Sequence, residues 1–369
     1  MAEKNTSKTS VEAVLAEFEL CHPTLSAFCV RTKALIEVSL EDAGIRYQSV
    51  QARVKTKKKL RKKYLDPAKD YNKLDDITDL AGLRIITYYD DEVDRVAELI
   101  EKEFKIDEKE SVDKRDTDPD RFGYRAVNFI CGHLDRRTSD VEYKHFSGIR
   151  CEIQITSILG HAWAEIEHEW YDLKEAYPKS IKRRFSRIAA LFEIAGEEFV
   201  DIRKRRLDYE KSVSLQVEAK LPNIPLDAVS LRSFIDQEPL VGEINRAIAS
   251  ALGVSLVKPL SDSVMESRSK SANIIGIATL EELREALEIY GNFLPEFMTR
   301  FATEAWPNSP KGGEADRSLC VYNLCLLLAA RGGEAVLDGF FSSIGVHATG
   351  VQLGRVSTIA KEIVAKVKK

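Results

Sequence analysis

Three short runs rich in β-branched and aromatic residues, at 83–89, 124–134 and 149–155, constrain the fold of this chain more than any other feature. Each run has the length and composition of a β-strand. Helical spacing of apolar residues follows the first run at 92–104 and the last at 161–173. Strands and helices that alternate in this way predict an α+β domain, built on a mixed β-sheet that is flanked by helices.

The rest of the chain has mainly helical patterning. Residues 11–47 carry apolar side chains at helical spacing, and we expect Pro23 to divide them into two helices. Two prolines make 221–225 the best candidate for a linker. Beyond it we expect a mostly helical region, which contains helices at 281–301 and 319–330 and a polar break at 261–271.

The chain has 369 residues, which is more than one compact domain usually needs. The patterns above predict four segments, which we list in chain order. They are an N-terminal helical extension (1–45), a sheet domain (46–178), a long charged helix (179–220) and a helical C-terminal domain of unknown role (226–369).

Charge and hydropathy argue against two broad classes of protein. Lys and Arg total 55 against 59 Asp and Glu, and this net charge of −4 is not that of a protein that coats DNA. The longest apolar stretch, 324–330, is far shorter than the ~18 residues of a membrane span, and the polar N-terminus lacks the apolar core of a signal peptide. Six scattered cysteines without a CxxC pair favour reduced thiols. We therefore expect a cytoplasmic protein with neither membrane nor DNA as a partner.

Two carboxylates stand where chemistry is expected. Asp79 closes a short acidic segment just before the first buried run, and a carboxylate at such a sheet edge can hold a hard divalent cation. Strand alternation places Glu152 and Gln154 on one face of the last run, where a carboxylate and an amide can bind a metal and a ligand hydroxyl. Taken alone, each pattern also fits a solvated edge or face, and Asp75 and Asp76 fit a helix cap.

A polar helix face follows Glu152 in the chain. His161, Glu165 and His168 recur at i, i+4 and i+7 and therefore lie on one side of the predicted helix. This spacing could bind zinc, but the sequence has no HExxH motif and no nearby cysteine. We favour the wall of a polar pocket, with Trp163 and Ile166 turned towards the core.

A basic run at 53–63 has eight cations in eleven residues and no acidic residue. It can be a solvated helix face, a contact for nucleic acid, or a cradle for a chain of phosphates. Composition does not choose among the three. The sequence contains neither GxxxxGK(S/T) nor GxGxxG, which disfavours a P-loop or a Rossmann nucleotide site.

Taken in order, four motifs between about 45 and 175 resemble the synthetase domain of the RelA/SpoT family, the alarmone (p)ppGpp synthetases. Residues 53–56 (RVKT) resemble the family's RVKS element, and 76–85 (DITDLAGLRI) resemble DIxDxxGxRI. Residues 122–128 (FGYRAVN) resemble GYRSxH, while 152–155 (EIQI) and 161–168 (HAWAEIEH) resemble EIQIRT…HAWAExEH. The resemblance implies a nucleotidyltransferase-like synthetase domain.

The resemblance also implies an activity, which is Mg²⁺-dependent transfer of pyrophosphate from ATP to the 3′-hydroxyl of GDP or GTP. Carried over motif by motif, the residues that would bind the ATP phosphates are Arg53, Lys55, Lys63 and Arg84. Asp79 and Glu152 would hold Mg²⁺, and Glu152 would also take the proton from the acceptor hydroxyl. The acceptor would be bound by Tyr124, stacked on its base, and by Arg121, Asn128, Gln154 and His161.

The chain departs from the family pattern mainly on the acceptor side. Asn128 replaces a family histidine, Thr156 replaces the arginine of EIQIRT, and Asp120 replaces a lysine, with Arg121 adjacent. Lys59 stands where the family usually has serine. ATP use is therefore the firmer expectation, and the acceptor stays open.

No HD dipeptide occurs in the sequence, so the chain resembles small, synthesis-only relatives. Some of these are toxins that use an adenine nucleotide or the 3′ CCA end of tRNA as acceptor, and some are neutralised by a fused domain. The first alternative function is therefore a toxin of this kind. Residues 226–369 would control it, and the basic helix at 182–206 would contact the phosphates of tRNA. A non-catalytic nucleotide sensor is the second. Assembly as a homo-oligomer is compatible with the family.

Overall fold

The computed structural model describes residues 8–115, 126–171, 178–307 and 312–367. The chain divides into two compact units, an N-terminal unit (Met1–Lys204) and a C-terminal unit (Arg205–Lys369). Each unit has its own hydrophobic core. The division falls at Lys204, whereas the sequence favoured a linker at 221–225. That segment is tied down instead, because Ile224 and Leu226 are buried in the core of the C-terminal unit.

The N-terminal unit is built on a mixed six-stranded sheet, as the sequence predicts. Its strands run in the order β1-β2-β6-β5-β3, and β4 pairs with β5; β2 and β6 are parallel, and the other pairs are antiparallel. The strands are β1 (Tyr47–Val54), β2 (Ala81–Thr87), β3 (Phe104–Ile106), β4 (Val112–Asp113), β5 (Val127–His133) and β6 (Cys151–Ser157). The helices are α1 (Val11–Asp42), α2 (Lys57–Tyr64), α3 (Glu92–Glu103), α4 (Asp135–Thr138), α5 (Ile158–Tyr171) and the first part of α6 (Lys179–Glu218). The residues of α6 after Lys204 belong to the C-terminal unit.

The first helix is continuous, so the prediction that Pro23 divides it is wrong. A proline inside a helix costs about 3 kcal/mol. Phe18 on one side of Pro23 and Leu25 and Phe28 on the other are all buried in one core. Burial of each such side chain contributes about 1.5–3 kcal/mol, which together exceeds the cost of the proline.

By length and composition α1 is also the helix in the described part of the chain that could cross a membrane. One face of α1 packs in the core of the N-terminal unit, where Val14, Ile36 and Leu40 are fully buried, whereas Leu20, Val30 and Val38 are exposed. This packing is that of the core helix of a globular unit.

The C-terminal unit is mostly helical and surrounds a buried central helix, as the sequence predicts for 319–330. Its helices are α7 (Ala228–Gln237), α8 (Pro239–Leu252), α9 (Asp262–Ile274), α10 (Leu280–Tyr290), α11 (Leu294–Arg300), α12 (Leu319–Arg331), α13 (Glu334–Ser343) and α14 (Gly350–Val367). A parallel strand pair, β7 (Val254–Lys258) and β8 (Gly313–Asp316), was not predicted.

Two predictions for the C-terminal unit are wrong. The expected polar break at 261–271 is helix α9, because the Ser261 hydroxyl accepts a hydrogen bond from Val264 N and buried Met265 anchors the helix in the core. The expected single helix at 281–301 is two helices with a short 3₁₀ turn between them. Pro295 explains this division, since in one continuous helix its ring would clash with the carbonyl of Gly291.

Candidate active site

The register of the sheet brings the sequence motifs together. Residues opposite one another on paired strands point to the same face. Arg53 on β1 lies opposite Gly82 on β2, and Gly82 lies opposite Glu152 on β6. Two residues further along, Arg84 lies opposite Gln154, which lies opposite Asn128 on β5. Motifs that are about 100 residues apart in the chain therefore form two adjacent rows on one sheet face.

A cavity of about 120 Å³ lies where the first row meets the start of α2. Gly82 forms part of its wall, and a Cβ atom there would meet only the Arg53 carbonyl oxygen, at 3.9 Å. The absence of a side chain at this position therefore leaves the cavity open. The lining residues are Arg53, Val54, Lys55, Thr56, Lys59, Asp79, Gly82 and Glu152.

Asp79 is held by two lysines. Its Oδ2 accepts hydrogen bonds from Lys55 Nζ at 2.9 Å and from Lys63 Nζ at 2.7 Å. Burial by itself would raise the pKa of Asp79, but the hydrogen bonds and charges of the lysines outweigh it and hold the pKa below its usual range. The same carboxylate raises the pKa of Lys63 against the opposing effect of burial. Asp79 is therefore ionised, and both lysines are positioned at the cavity.

Glu152 accepts a hydrogen bond on each of its oxygens. Asn128 Nδ2 donates to Oε1 at 3.3 Å, and Gln154 Nε2 donates to Oε2 at 3.0 Å. Both donors are neutral amides, so they fix the direction of the carboxylate without cancelling its charge.

Arg84 is surrounded by three acceptors. Its Nε donates to Gln154 Oε1 at 3.1 Å, while one terminal nitrogen donates to His161 Nδ1 at 3.1 Å and to Glu165 Oε1 at 2.6 Å. Burial and the charge of Arg84 lower the pKa of His161, which keeps the imidazole neutral and able to accept. The hydrogen bond from Arg84 lowers the pKa of Glu165. Glu165 lies on the helix face for which the sequence favoured a pocket wall, but its partner Arg84 was not predicted.

The donor set of the cavity suits a hard divalent cation. Asp79 Oδ1 is buried and has no hydrogen-bond partner, and Glu152 lines the same cavity. The described residues contain no group of three or more His, Cys, Asp or Glu that could hold a metal by themselves. Two carboxylates that share an ion with substrate phosphates are typical of Mg²⁺. Zinc on the His161 face is disfavoured, since the Arg84 cation donates hydrogen bonds to both His161 Nδ1 and Glu165 Oε1.

The structure thus brings together nine of the residues singled out in the sequence, and two lie outside the described residues. Those brought together are Arg53, Lys55, Lys63, Asp79, Arg84, Asn128, Glu152, Gln154 and His161. Tyr124 and Arg121 belong to the part of the chain that the structure does not describe. On α5, Trp163 is buried as predicted, whereas Ile166 is 46% exposed and does not face the core.

Comparisons with known proteins agree with the motifs. Residues 52–176 match the family model described as a region found in RelA / SpoT proteins. Two curated relatives are the GTP pyrophosphokinases YwaC and YjbM of Bacillus subtilis (strain 168). YwaC is 28% identical over 129 residues, which are 35% of this chain and 59% of YwaC. YjbM is 26% identical over 168 residues, which are 44% of this chain and 75% of YjbM.

Solved structures of similar proteins include small alarmone synthetase 1 from Bacillus subtilis. It is 22% identical, covers 53% of this chain and 97% of its own, and has a TM-score of 0.42. The same synthetase bound to its product pppGpp is 23% identical, covers 50% of this chain and 93% of its own, and has a TM-score of 0.40.

Proposed function

We propose that this chain, whose residues 52–176 match the family model of a region found in RelA / SpoT proteins, is an enzyme that transfers the β,γ-pyrophosphate of ATP to the 3′-hydroxyl of GDP or GTP. The acceptor oxygen attacks the β-phosphorus of ATP, the bond from that phosphorus to the α,β-bridging oxygen breaks, and AMP leaves. The proton of the acceptor hydroxyl passes to Glu152.

The observation that carries this proposal is one cavity that combines several cations with two carboxylates. Such transfer consists mainly of positioning and charge neutralisation. Arg53 and Lys55 line the cavity, and Lys63 is held beside it by its ion pair with Asp79, so a chain of phosphates meets fixed positive charges there. Arg84 would bind a phosphate by giving up one of its hydrogen bonds to protein side chains and donating to a phosphate oxygen instead.

Asp79 and Glu152 would hold Mg²⁺, which supplies charge neutralisation at the phosphates when it is bound. The acceptor side remains as the resemblance implies. Tyr124 would stack on the base, His161 would lie near its edge, and Arg121 would also bind the acceptor. The motifs place Asn128 and Gln154 on the acceptor side as well, where both donate hydrogen bonds to Glu152. The proposal includes a cytoplasmic location and allows self-assembly.

A second candidate keeps the chemistry and changes the acceptor to the 3′ end of tRNA, as in a growth-arresting toxin. Exposed cations beyond the cavity favour this candidate. They are Lys57, Lys58, Arg61 and Lys62 on α2, and Lys179, Lys182, Arg183, Arg184 and Arg187 on α6. Phosphate contacts of this kind predict tRNA binding that weakens steeply with salt. Arg183→Glu with Arg184→Glu should weaken it further, whereas Lys102→Glu on α3 should not.

A transfer assay with γ-labelled ATP and Mg²⁺ tests these proposals, with GDP, GTP, ADP, ATP and deacylated tRNA offered separately. Label on GDP or GTP, lost in Glu152→Gln, is the expected result. Label on tRNA or on an adenine nucleotide would replace the proposed acceptor and keep the chemistry. No label on any acceptor would contradict both candidates and favour a non-catalytic nucleotide sensor, which would still bind ATP with Mg²⁺.

A further inference from the structure

Two amides from neighbouring strands hold the carboxylate of Glu152. Asn128 on β5 and Gln154 on β6 each donate one hydrogen bond, to different oxygens of the carboxylate. The sequence motifs placed both amides in the acceptor site. In the structure their hydrogen-bond partner is Glu152, which gives them a role that the motifs did not assign.

The chemistry of the neighbours fixes the orientation of the Gln154 amide. An arginine can only donate hydrogen bonds, and an ionised carboxylate can only accept them. Gln154 therefore presents Oε1 to Arg84 Nε and Nε2 to Glu152 Oε2, and the reversed amide would lose both bonds. One side chain thus joins the arginine to the carboxylate.

Asn128 is also oriented by Glu152, because an ionised carboxylate accepts only from the Nδ2 of the amide. This orientation costs the folded state some free energy. With Nδ2 on Glu152, its Oδ1 is buried and has no hydrogen-bond partner. Such an unmade hydrogen bond costs about 1–3 kcal/mol. This cost falls on a residue whose donor faces Glu152, and the two observations together point to a function at that carboxylate.

We propose that Gln154 and Asn128 are positioning residues for Glu152. Gln154 also fixes the position of Arg84 relative to Glu152, because it is hydrogen-bonded to both. The inference rests on the proposed function, in which Arg84 binds ATP phosphate and Glu152 takes the proton of the acceptor hydroxyl. Neither amide need touch a substrate. Their contribution is the angle at which the carboxylate meets the hydroxyl, and a small error in such an angle can cost up to about 100-fold in rate.

Gln154→Met and Asn128→Leu test this role, because each keeps the approximate shape of the side chain and removes the donor to Glu152 without adding a charge beside it. We expect kcat to fall by about 10-fold or more, with KM for ATP and for the acceptor changed by less than about 3-fold. Gln48→Met, the same substitution as at Gln154 but on an exposed part of β1, is the matched control and should leave both constants unchanged. A raised acceptor KM at unchanged kcat would overturn the proposal, since it would mean direct contact with the acceptor.

The side-chain amide signals of the ¹⁵N-labelled full chain provide a test that needs no activity. Asn128 and Gln154 are assigned by the signals that vanish in the two variants. Glu152→Ala should move both signals and leave that of Gln48 in place, and unmoved signals would overturn the proposal. A parent chain that transfers nothing to any acceptor would defeat the proposed function itself, whereas an active parent with unimpaired variants would defeat the positioning role alone.

Discussion

At the scale of single residues, the site depends on charges that are held before any substrate arrives. Asp79 is paired with Lys55 and Lys63 through one oxygen, and its other oxygen is buried without a partner. A carboxylate that holds two cations and keeps a free oxygen can organise phosphates and a metal at the same time. Both the placement of the two lysines and the proposed metal site therefore depend on Asp79.

Asp79→Asn should therefore reduce transfer activity by about 100-fold or more, which corresponds to ~3 kcal/mol at the transition state. The variant removes the counter-charge of both lysines and one of the two carboxylates proposed to hold Mg²⁺. The measurement is kcat/KM for ATP at saturating acceptor. Asp75→Asn is the matched control, because that carboxylate lies on the same segment and is 74% exposed. Equal activity of the Asp79 variant and the parent would contradict the role given to Asp79.

Gly82 provides a steric test of the cavity. Gly82→Leu should fill the cavity and weaken ATP binding by about 10-fold or more, whereas Gly82→Ala should have a smaller effect. The fold should survive, because the nearest atom to a new Cβ is a carbonyl oxygen at 3.9 Å. Calorimetric titration with ATP and Mg²⁺ measures the effect, and thermal unfolding checks the fold. Unchanged ATP affinity in the leucine variant would place the nucleotide elsewhere.

At the scale of elements, strand register assembles the site, and register is what the sequence could not supply. Alternation along β6 placed Glu152 and Gln154 on one face, which the structure confirms through their shared hydrogen bond. Strand β1 was not predicted, because its last two residues are the first two of the basic run, which we interpreted from its charge alone. The pairing of Arg53 with Gly82, and hence the cavity, depends on that strand.

Helix boundaries were also predicted poorly wherever they depend on contacts between distant residues. Local patterns predicted α3, α5 and α12 well, because their burial follows their own periodicity. Patterns failed at Pro23 and at 261–271, where contacts with distant residues outweigh local preference. The contact between Glu165 and Arg84 was missed for the same reason, since the two residues are 81 apart in the chain.

The strand β5 also carries a buried histidine that predicts a pH effect. Burial and the nearby charge of Arg137 lower the pKa of His133 from its ordinary 6.5 to about 4. The unfolded chain therefore binds the proton more tightly than the folded one, and the free energy of unfolding should fall as pH decreases from 6.5 to about 4. The loss amounts to about 3 kcal/mol.

Denaturant unfolding at pH 7 and at pH 4 measures this loss. His133→Phe should lack the part of the pH dependence that His133 causes, because phenylalanine fits among the rings of Phe28, Phe104 and Phe146 and does not titrate. His22→Phe, at an exposed position on α1, should keep it. An identical pH dependence in the parent and in His133→Phe would show that His133 is not the titrating group.

At the scale of the whole molecule, the two units have separate hydrophobic cores, which implies that each can fold alone. The residues proposed for catalysis belong to the N-terminal unit, so the C-terminal unit is free to serve in control, which we advance as a hypothesis. Residues 1–204 alone should then fold and show transfer activity several-fold above that of the full chain. Activity equal to that of the full chain would contradict a controlling role.

The central claim is pyrophosphate transfer, and parallel reactions with γ-labelled and α-labelled ATP test it most directly. With the acceptor found in the transfer assay, the γ label should move to the acceptor while the α label appears in AMP, in equal amounts. Both products should be absent in Glu152→Gln. Formation of ADP, or transfer of the α label to the acceptor, would mean phosphate or nucleotidyl transfer and would contradict the account.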